Sequence, residues 1–451
     1  MANTILFMKI SVGRILYGSA MLSRFFLMLT LVFAGEIVFL LPFHTTRFFR
    51  PTLLEAYGLS NTQLGDVFAV YGVMAMIAYF PGGALADRFS ARSLLTVSMI
   101  ATAAGGLYMA TYPGPVGMAA LFGYWGITTI LLFWAALIRA TREWGGHDEQ
   151  GKAFGILESG RGLVAALLAS GGVILLVLFL PEDMDQLSNE ERRTAFRSVI
   201  FFYSAVTLAT AVLTWTVIPA VKHIGDSSSR LFRNSVAVLA RPLVWAQAAV
   251  IICAYCGYKA VDNYSLYAVQ VLGMNEAEGA TLATYIIYLR PVAALAAGLL
   301  ADRWSAGKMV GTSFGFLLIS YGVLAVFLPN DHGLTLIYAN ILVSVFAVCM
   351  LRGVYFALLE ENRVPPYLTG AVAGSVSFIG YTPEIFFGPI TGRILDANPG
   401  PVGHQNYFLF LAVVAALGIA VTAWLIWLQH RSEVSVWPGV RKRVSAMATN
   451  D

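Results

Sequence analysis

Charged side chains interrupt several long apolar stretches of this chain. An ionisable group inside such a stretch costs several kcal/mol unless it meets water or an opposite charge, so each one is a candidate for binding or proton transfer. Lys259 and Asp262 are three residues apart, and a helix would place them on one face as an ion pair. Arg290 has no acid within one turn, so its partner must come from another helix or from a bound anion. Because arginine stays protonated, Arg290 suits a fixed contact with an anion rather than a carried proton.

Basic, acidic, aromatic and amide side chains on the first, seventh and eighth apolar stretches form the expected solute-binding set. Bases from both halves of the chain would hold an anion from two sides. The alternative is that Lys259 and Asp262 only neutralise each other. The predicted solute-binding residues are His44, Arg47, Tyr255, Lys259, Asp262, Asn263 and Arg290.

Two carboxylates near the centres of apolar stretches are the expected proton-coupling residues. Glu36 lies in the first stretch, and Glu384 in a stretch that Gly388 and Pro389 allow to bend. An acid that meets a base in only one conformation can bind a proton in one state and release it in the other. A static salt bridge to Arg290 is the alternative.

Acids and bases also gather near the ends of apolar stretches, where they indicate a gate. Glu158 and Arg161 are spaced to pair on one helix face. A network that forms and breaks during a cycle and a permanent ion network remain equally open. The predicted gating residues are Asp87, Arg88, Arg92, Arg139, Arg142, Glu158, Arg161, Asp302, Arg303 and Arg352.

The composition excludes a soluble enzyme. The 451 residues are 58% hydrophobic and only 12% charged, with a mean hydropathy of +0.72, whereas soluble domains carry about 25% charge. The net charge of +4 forms no cluster suited to nucleic acid. Cys253 and Cys256 lie inside an apolar stretch, which favours small core residues over a metal or redox site. We expect no removable signal, catalytic residue, metal or cofactor.

The apolar stretches have the length of membrane-spanning helices and predict about twelve of them. Their approximate bounds are 22–48, 61–86, 93–111, 116–143, 152–180, 198–221, 242–271, 277–301, 308–328, 334–361, 367–395 and 404–429.

Lys and Arg flank one side of these spans, whereas the opposite loops at 112–115, 273–276, 329–333 and 396–403 contain neither. The positive-inside rule then places both termini in the cytoplasm of a multi-pass protein of the cell (inner) membrane. The loop 181–197 breaks the pattern with mixed charges and is expected to form a short surface helix.

A loop motif occurs twice and carries a family resemblance. The stretch from Gly82 reads Gly-Gly-Ala-Leu-Ala-Asp-Arg, and the one from Gly298 reads Gly-Leu-Leu-Ala-Asp-Arg. Their aspartates, Asp87 and Asp302, are 215 residues apart, close to half of the chain. The chain thereby resembles the major facilitator superfamily, in which Gly-x-Leu-Ala-Asp-Arg-x-Gly-Arg joins the second and third helices. Ser90 and Ala91 replace the Gly and Arg that end this pattern, and Arg92 keeps the base.

The resemblance implies an all-α membrane protein in which two six-helix bundles surround a central cavity and work by alternating access. Its site would lie near the bilayer midplane, between the repeats. The expected domains are a first bundle, a cytoplasmic linker, a second bundle and a cytoplasmic tail, at 1–222, 223–240, 241–430 and 431–451.

The resemblance and the buried charges together predict a secondary active transporter of a small polar, anionic organic solute. Protons are the expected coupling ion, as in a symporter, and the lipid bilayer and the solute are the expected partners of a monomer.

Three alternatives stay open. A nitrate/nitrite porter would pair Arg290 with an arginine in the second span, where the repeat partner is Ala75. A drug/proton antiporter would carry a Gly-Pro motif in the fifth span, which has no proline. A transporter-like solute sensor would usually add a large soluble domain.

Overall fold

The computed structural model describes residues 23–146, 149–181, 187–220, 238–301, 305–327, 333–355, 357–362, 364 and 366–431. Within these ranges the chain contains helices and no strand, which confirms the predicted all-α architecture. Residues 223–237 of the predicted linker and 432–451 of the predicted tail lie outside the description. The helices are α1 (Ser23–Phe48), α2 (Arg50–Tyr57), α3 (Asn61–Arg88), α4 (Ala91–Met109), α5 (Pro115–Gly145), α6 (Gln150–Phe179), α7 (Asn189–Val217), α8 (Pro242–Gln270), α9 (Glu276–Ile287), α10 (Leu289–Ala301), α11 (Ala306–Val326), α12 (Leu334–Val354), α13 (Leu358–Glu361), α14 (Pro366–Gly380), α15 (Pro383–Ala397) and α16 (Pro401–Arg431).

Nine of the described helices are long and apolar enough to cross a membrane, judged by length and composition alone. Of the other predicted spans, the third is α4, while the eighth and the eleventh are each broken in two. The eighth breaks at Tyr288, so that Pro291 lies in the first turn of α10. The N–H groups of a first turn have no acceptor within the helix, so the missing N–H of proline costs no hydrogen bond there. The eleventh breaks after Gly380, and Pro383 begins α15.

Two boundaries differ from those predicted. Residues 189–197 belong to the sixth span rather than to a separate surface helix, because Ser188 and Glu191 form a capping box that starts α7 nine residues earlier than residue 198. The tenth span ends at Val354 instead of near residue 361, and the four-residue α13 follows it.

The two halves repeat each other in their turn chemistry. Gly58 and Gly273, 215 residues apart, both adopt positive φ, at 64° and 69°. Two residues later Ser60 and Asn275 start α3 and α9 with capping boxes. The N-caps of α4 and α11, Ser90 and Ser305, are related by the same offset of 215 residues. The sequence repeat therefore reflects a repeat of local structure.

Helices α3 and α15 come from opposite halves and pack backbone against backbone. A Cβ added at Gly72 would lie 2.7 Å from the carbonyl carbon of Glu384, and one at Gly388 would lie 2.9 Å from the carbonyl oxygen of Gly65. Only glycine allows this approach, as small residues do in other membrane helix pairs. We name the two ends of the bundle the Asn61 end and the Arg88 end, after the ends of α3.

At the Asn61 end, Asp396 of α15 caps the first turn of α3. Its carboxylate accepts hydrogen bonds from the backbone N–H of Asn61 at 3.2 Å and of Thr62 at 2.7 Å. The Asn61 side chain adds a third at 3.1 Å. A carboxylate at a helix N-terminus satisfies unpaired donors and interacts favourably with the helix dipole. This contact therefore holds the halves together at the Asn61 end.

Asp396→Ala is expected to weaken the contact between the halves at the Asn61 end. The loss of an N-terminal cap costs about 0.5–2 kcal/mol, which shifts an open–closed balance by about 2- to 30-fold. The shift can be measured as maleimide labelling of Ser265→Cys, a fully buried position at the same end, in a background without the three native cysteines. The matched control is Arg393→Ala, which removes an exposed ion pair with Asp66 between the same two helices. Equal labelling of both variants would contradict the prediction, because exposed pairs contribute little.

Candidate functional site

A cavity of about 880 Å³, including the part that merges with solvent, lies between the two halves at mid-depth. Its walls come from α1, α3, α5, α6, α8, α12 and the α14–α15 junction. The lining residues are Glu36, Phe39, Phe43, His44, Arg47, Tyr71, Gly72, Ala75, Met76, Tyr79, Ile130, Trp134, Arg161, Tyr255, Tyr258, Lys259, Arg352, Tyr381 and Glu384.

Three helices depart from regular α-helical hydrogen bonding beside this cavity. Helix α1 contains a π-helical segment, Leu40–His44, and α5 contains another, Ile127–Trp134. Helix α8 contains a 3₁₀ turn at Val261–Asn263. Such segments rotate the side chains that follow, and they often mark functional sites. Irregular backbone at this depth is tolerated because it lies within the protein or beside a cavity.

Glu36 is the centre of one buried ion cluster. Its carboxylate lies 3.2 Å from His44 Nε2, 3.1 Å from Arg161 Nε and 3.4 Å from Arg290 Nη1. Glu158 contacts the same two guanidinium groups, at 2.6 Å from Arg161 and 3.6 Å from Arg290. The side chain of Glu36 is 4% exposed, whereas that of Glu158 is 47% exposed. Because Arg290 belongs to the second half and the acids to the first, this cluster bridges the halves.

Lys259 is the centre of a second cluster. Its Nζ lies 3.0 Å from Asp262 Oδ2 and 3.4 Å from Glu384 Oε2. Asp262 also accepts a 2.5 Å hydrogen bond from Arg47 Nε, and Glu384 accepts one from the hydroxyl of Tyr255. The Lys259 contacts are not aligned as hydrogen bonds, so its ammonium group has donors left over. Lys259 could therefore change partners, whereas hydrogen bonds from Arg47 and Tyr255 hold the two carboxylates.

The Arg47–Asp262 pair has a special place in the repeat. The two residues are 215 positions apart, which is the offset between the halves. Equivalent residues of two related halves touch only where they lie near the axis that relates the halves. The pair therefore lies near that axis, on the Asn61 side of the cavity. Ser265 of α8 also donates to the backbone carbonyl of Arg47, which strengthens the closure there.

The structure places most of the predicted solute-binding and proton-coupling residues around the cavity. Those in the cavity wall are His44, Arg47, Tyr255, Lys259, Glu36 and Glu384. Asp262 and Arg290 lie behind the wall, in the ion pairs described above. The amide of Asn263 donates to the hydroxyl of Tyr407 at 2.9 Å, also behind the wall.

The predicted gating residues do not form one network. Asp87, Arg88 and Arg142 are exposed at the Arg88 end. Asp302 and Arg303 lie outside the described residues.

Two other predicted gating residues contact neighbouring side chains. Arg92 packs over the ring of Trp215 at 4.3 Å, and Arg139 pairs with Glu143 at 2.8 Å.

The remaining gating candidates lie at mid-depth. Glu158 and Arg161 belong to the Glu36 cluster, and Arg352 lies in the cavity wall.

Sequence reasoning missed the aromatic part of the wall. Phe39, Phe43, Tyr71, Tyr79 and Trp134 line the cavity together with Tyr258 and Tyr381. In an apolar span, an aromatic residue that faces a cavity has the same sequence pattern as one that faces lipid. The sequence also gives no signal for the three irregular segments. Only the tyrosines on α8, close to Lys259, gave a signal.

Comparison with known proteins identifies relatives that match most of the chain. A family model described as Major Facilitator Superfamily matches residues 15–389. The chain is 28% identical to inner membrane protein YqcE of Escherichia coli (strain K12), over 86% of this chain and 91% of that protein. It is 24% identical to inner membrane protein YihN of the same organism, over 88% and 94%.

A solved structure shares the fold. A bacterial homologue of the human lysosomal transporter Spinster, in an inward-facing and unoccupied conformation, superposes with a TM-score of 0.67. The alignment covers 93% of this chain and 99% of that one at 15% sequence identity, a level that speaks for the fold alone.

Proposed function

The chain belongs to the Major Facilitator Superfamily, and from that premise we propose that it moves a small polar, anionic organic solute across the membrane by alternating access, coupled to protons. One observation carries the proposal. The cavity wall contains four permanent cations, Arg47, Arg161, Lys259 and Arg352, but two carboxylates. With the ion partners behind the wall, which are Arg290, Asp262 and Glu158, five cations meet four carboxylates, so an excess of positive charge remains. A low-dielectric cavity with an excess of positive charge favours an anion over a neutral or cationic solute.

The proposed orientation follows from the charges at the two ends. The Arg88 end carries the basic loops, so the positive-inside rule places it in the cytoplasm. The Asp396 cap, the Arg47–Asp262 pair and the α3–α15 contact then close the outer side of the cavity. In this orientation the present conformation is closed to the outside. We propose a monomer in the inner membrane, with both termini in the cytoplasm and the domains that the sequence predicts.

The proposed proton coupling rests on two carboxylates. Glu36 and Glu384 lie in the cavity wall, and each contacts a base, Arg290 for Glu36 and Lys259 for Glu384. Arg290 reaches Glu36 from the other half, so movement of the halves would separate them. Lys259 contacts Glu384 within the second half. Lys259 also contacts Asp262, and Asp262 is bound to Arg47 of the first half. Movement of the halves would therefore change the surroundings of Lys259. An acid whose base withdraws becomes easier to protonate.

The proposal predicts that small organic anions stabilise the purified protein. A ligand that binds the folded state raises the midpoint of thermal unfolding by mass action. We would screen sugar acids, sugar phosphates, sulfonates, carboxylates and nitrate, with neutral sugars and apolar cations alongside. We expect an organic anion to stabilise the wild type and to lose about 10-fold in affinity in Lys259→Ala, because the variant removes a cation from the cavity wall and leaves the charges of Asp262 and Glu384 less compensated. Lys152→Ala, which removes an exposed lysine paired with Glu149 at the Arg88 end, is the matched control.

Other outcomes of this screen point elsewhere. Stabilisation by neutral sugars or apolar cations alone would contradict the anion proposal and favour a drug antiporter. Stabilisation by nitrate alone would favour an inorganic anion porter. An organic anion that binds but does not accumulate in proteoliposomes under any imposed gradient would favour a sensor.

A further inference from the structure

Arg352 differs from every other cation in the cavity wall. Arg47 is held by Asp262, Arg161 by Glu36 and Glu158, and Lys259 by Asp262 and Glu384. Among the residues that the structure describes, no carboxylate lies within ion-pair distance of Arg352, and no acceptor takes a hydrogen bond from it.

The side chain of Arg352 is nevertheless held in place. Its guanidinium group packs over the ring of Tyr258, with the central carbon 4.0 Å from the ring centroid. Tyr258 is itself fixed, because its hydroxyl accepts a 3.0 Å hydrogen bond from Arg47 Nη1. Stacking on an aromatic face fixes the plane of a guanidinium group and leaves its edge free to donate. Arg352 is therefore an oriented cation, and none of the described side chains or carbonyl groups accepts a hydrogen bond from it.

The surroundings of Arg352 suit an anion that also carries polar groups. Tyr258 and Tyr381 line the same cavity as Arg352, and the hydroxyl of Tyr381 lies 3.4 Å from that of Tyr355. These hydroxyls can donate to or accept from a solute. The free edge of a guanidinium group matches the two oxygens of a carboxylate, which it binds with two parallel hydrogen bonds. A compact ammonium group lacks this geometry.

We propose that Arg352 binds the carboxylate of a hydroxylated organic acid through paired hydrogen bonds, with Tyr258 holding the guanidinium plane. This inference rests on the proposed function, because it assigns the anionic group of the solute to one residue in the cavity. It changes the role expected for Arg352 from gating to solute recognition. In this arrangement Arg47, Arg161 and Lys259 remain in their ion pairs, and the solute does not have to displace a carboxylate to enter.

The test compares a carboxylate with its neutral amide. Binding of glucuronate, gluconate, glucuronamide and glucose is measured by thermal shift and by isothermal titration with purified full-length protein. We expect the wild type to bind at least one of the two acids and to prefer glucuronate over glucuronamide. Arg352→Gln should weaken binding of the acid by about 10- to 100-fold, the usual range for a lost charge-assisted pair, and should abolish the preference over the amide. Arg352→Lys keeps the charge but loses the planar guanidinium group, so its affinity for the acid should lie between those of the wild type and Arg352→Gln.

The arms of this test separate failure of the inference from failure of the proposed function. If the wild type binds an acid and Arg352→Gln binds it equally well, Arg352 is not the carboxylate site and the inference is overturned, while the anion proposal stands. If the wild type binds neither acid but binds glucose or glucuronamide, the Arg352 inference and the anion proposal are both overturned. If it binds none of the four probes, the hydroxylated-acid inference is overturned, and the wider anion screen decides the function. The unliganded variants should have thermal unfolding midpoints close to that of the wild type, since the substitution leaves no described carboxylate unpaired.

Discussion

Glu36→Ala is expected to destabilise the protein by about 3–5 kcal/mol and to abolish transport. The reason is that removal of one partner from a buried ion pair leaves the other charge uncompensated. Glu36 is 4% exposed and contacts Arg161, Arg290 and His44. Without Glu36, Glu158 is the remaining carboxylate in this cluster that compensates the charges of Arg161 and Arg290. The loss can be measured as a lower midpoint of tryptophan fluorescence on heating in detergent, together with uptake in proteoliposomes.

Glu158→Ala is a matched control for this prediction. Glu158 contacts the same two arginines as Glu36, but its side chain is 47% exposed, so water already screens its interactions. We expect a clearly smaller loss of stability than in Glu36→Ala. The double variant Glu36→Ala/Arg161→Met should recover part of the lost stability, because it removes one of the orphaned charges. Equal destabilisation by the two single variants would show that burial does not set the importance of Glu36.

The sequence predicted which residues carry the buried charges, but only part of how they pair. The Lys259–Asp262 pair followed from helical spacing, and the structure has these two groups 3.0 Å apart. A salt bridge between Glu36 and Arg290 is one of the alternatives that the sequence leaves open, and the contact is present at 3.4 Å. For the second partner of Arg290, Glu158, the sequence predicts a gating role instead. Spacing along one helix fixes which side chains share a face, but it says nothing about how two helices are rotated against each other.

The Arg47–Asp262 pair shows what the repeat adds to such reasoning. Laying one half on the other places Arg47 opposite Asp262, and opposite charges at equivalent positions can pair when both lie near the relating axis. The sequence could therefore have supported this pair, but it gives no distance from the axis. The sequence could not predict that Arg352 lacks a described acidic partner, for a related reason. An unpaired cation is recognised only when the position of every nearby acid is known.

Glu384→Gln is expected to uncouple solute movement from the proton gradient. Glutamine keeps the size and a hydrogen-bond acceptor for Tyr255, but it cannot take up a proton. The anion found in the screen should then no longer accumulate when a pH gradient is imposed across proteoliposomes. Exchange of labelled for unlabelled anion should continue, since exchange requires no net proton movement. Glu36→Gln is the second candidate for the same experiment, because Glu36 also lies in the cavity wall.

Tyr255→Phe separates loss of the titrating group from loss of its hydrogen bond. This variant removes the hydroxyl that donates to Glu384 but keeps the carboxylate and its contact with Lys259 at 3.4 Å. If Glu384 is the proton carrier, Tyr255→Phe should still accumulate the anion in response to the pH gradient, whereas Glu384→Gln should not. Accumulation by both variants would place the proton site elsewhere, with Glu36 the next residue to test. Loss of gradient-driven accumulation in both, with exchange intact, would mean that the hydrogen bond itself is needed for coupling, because a carboxylate alone would then be insufficient.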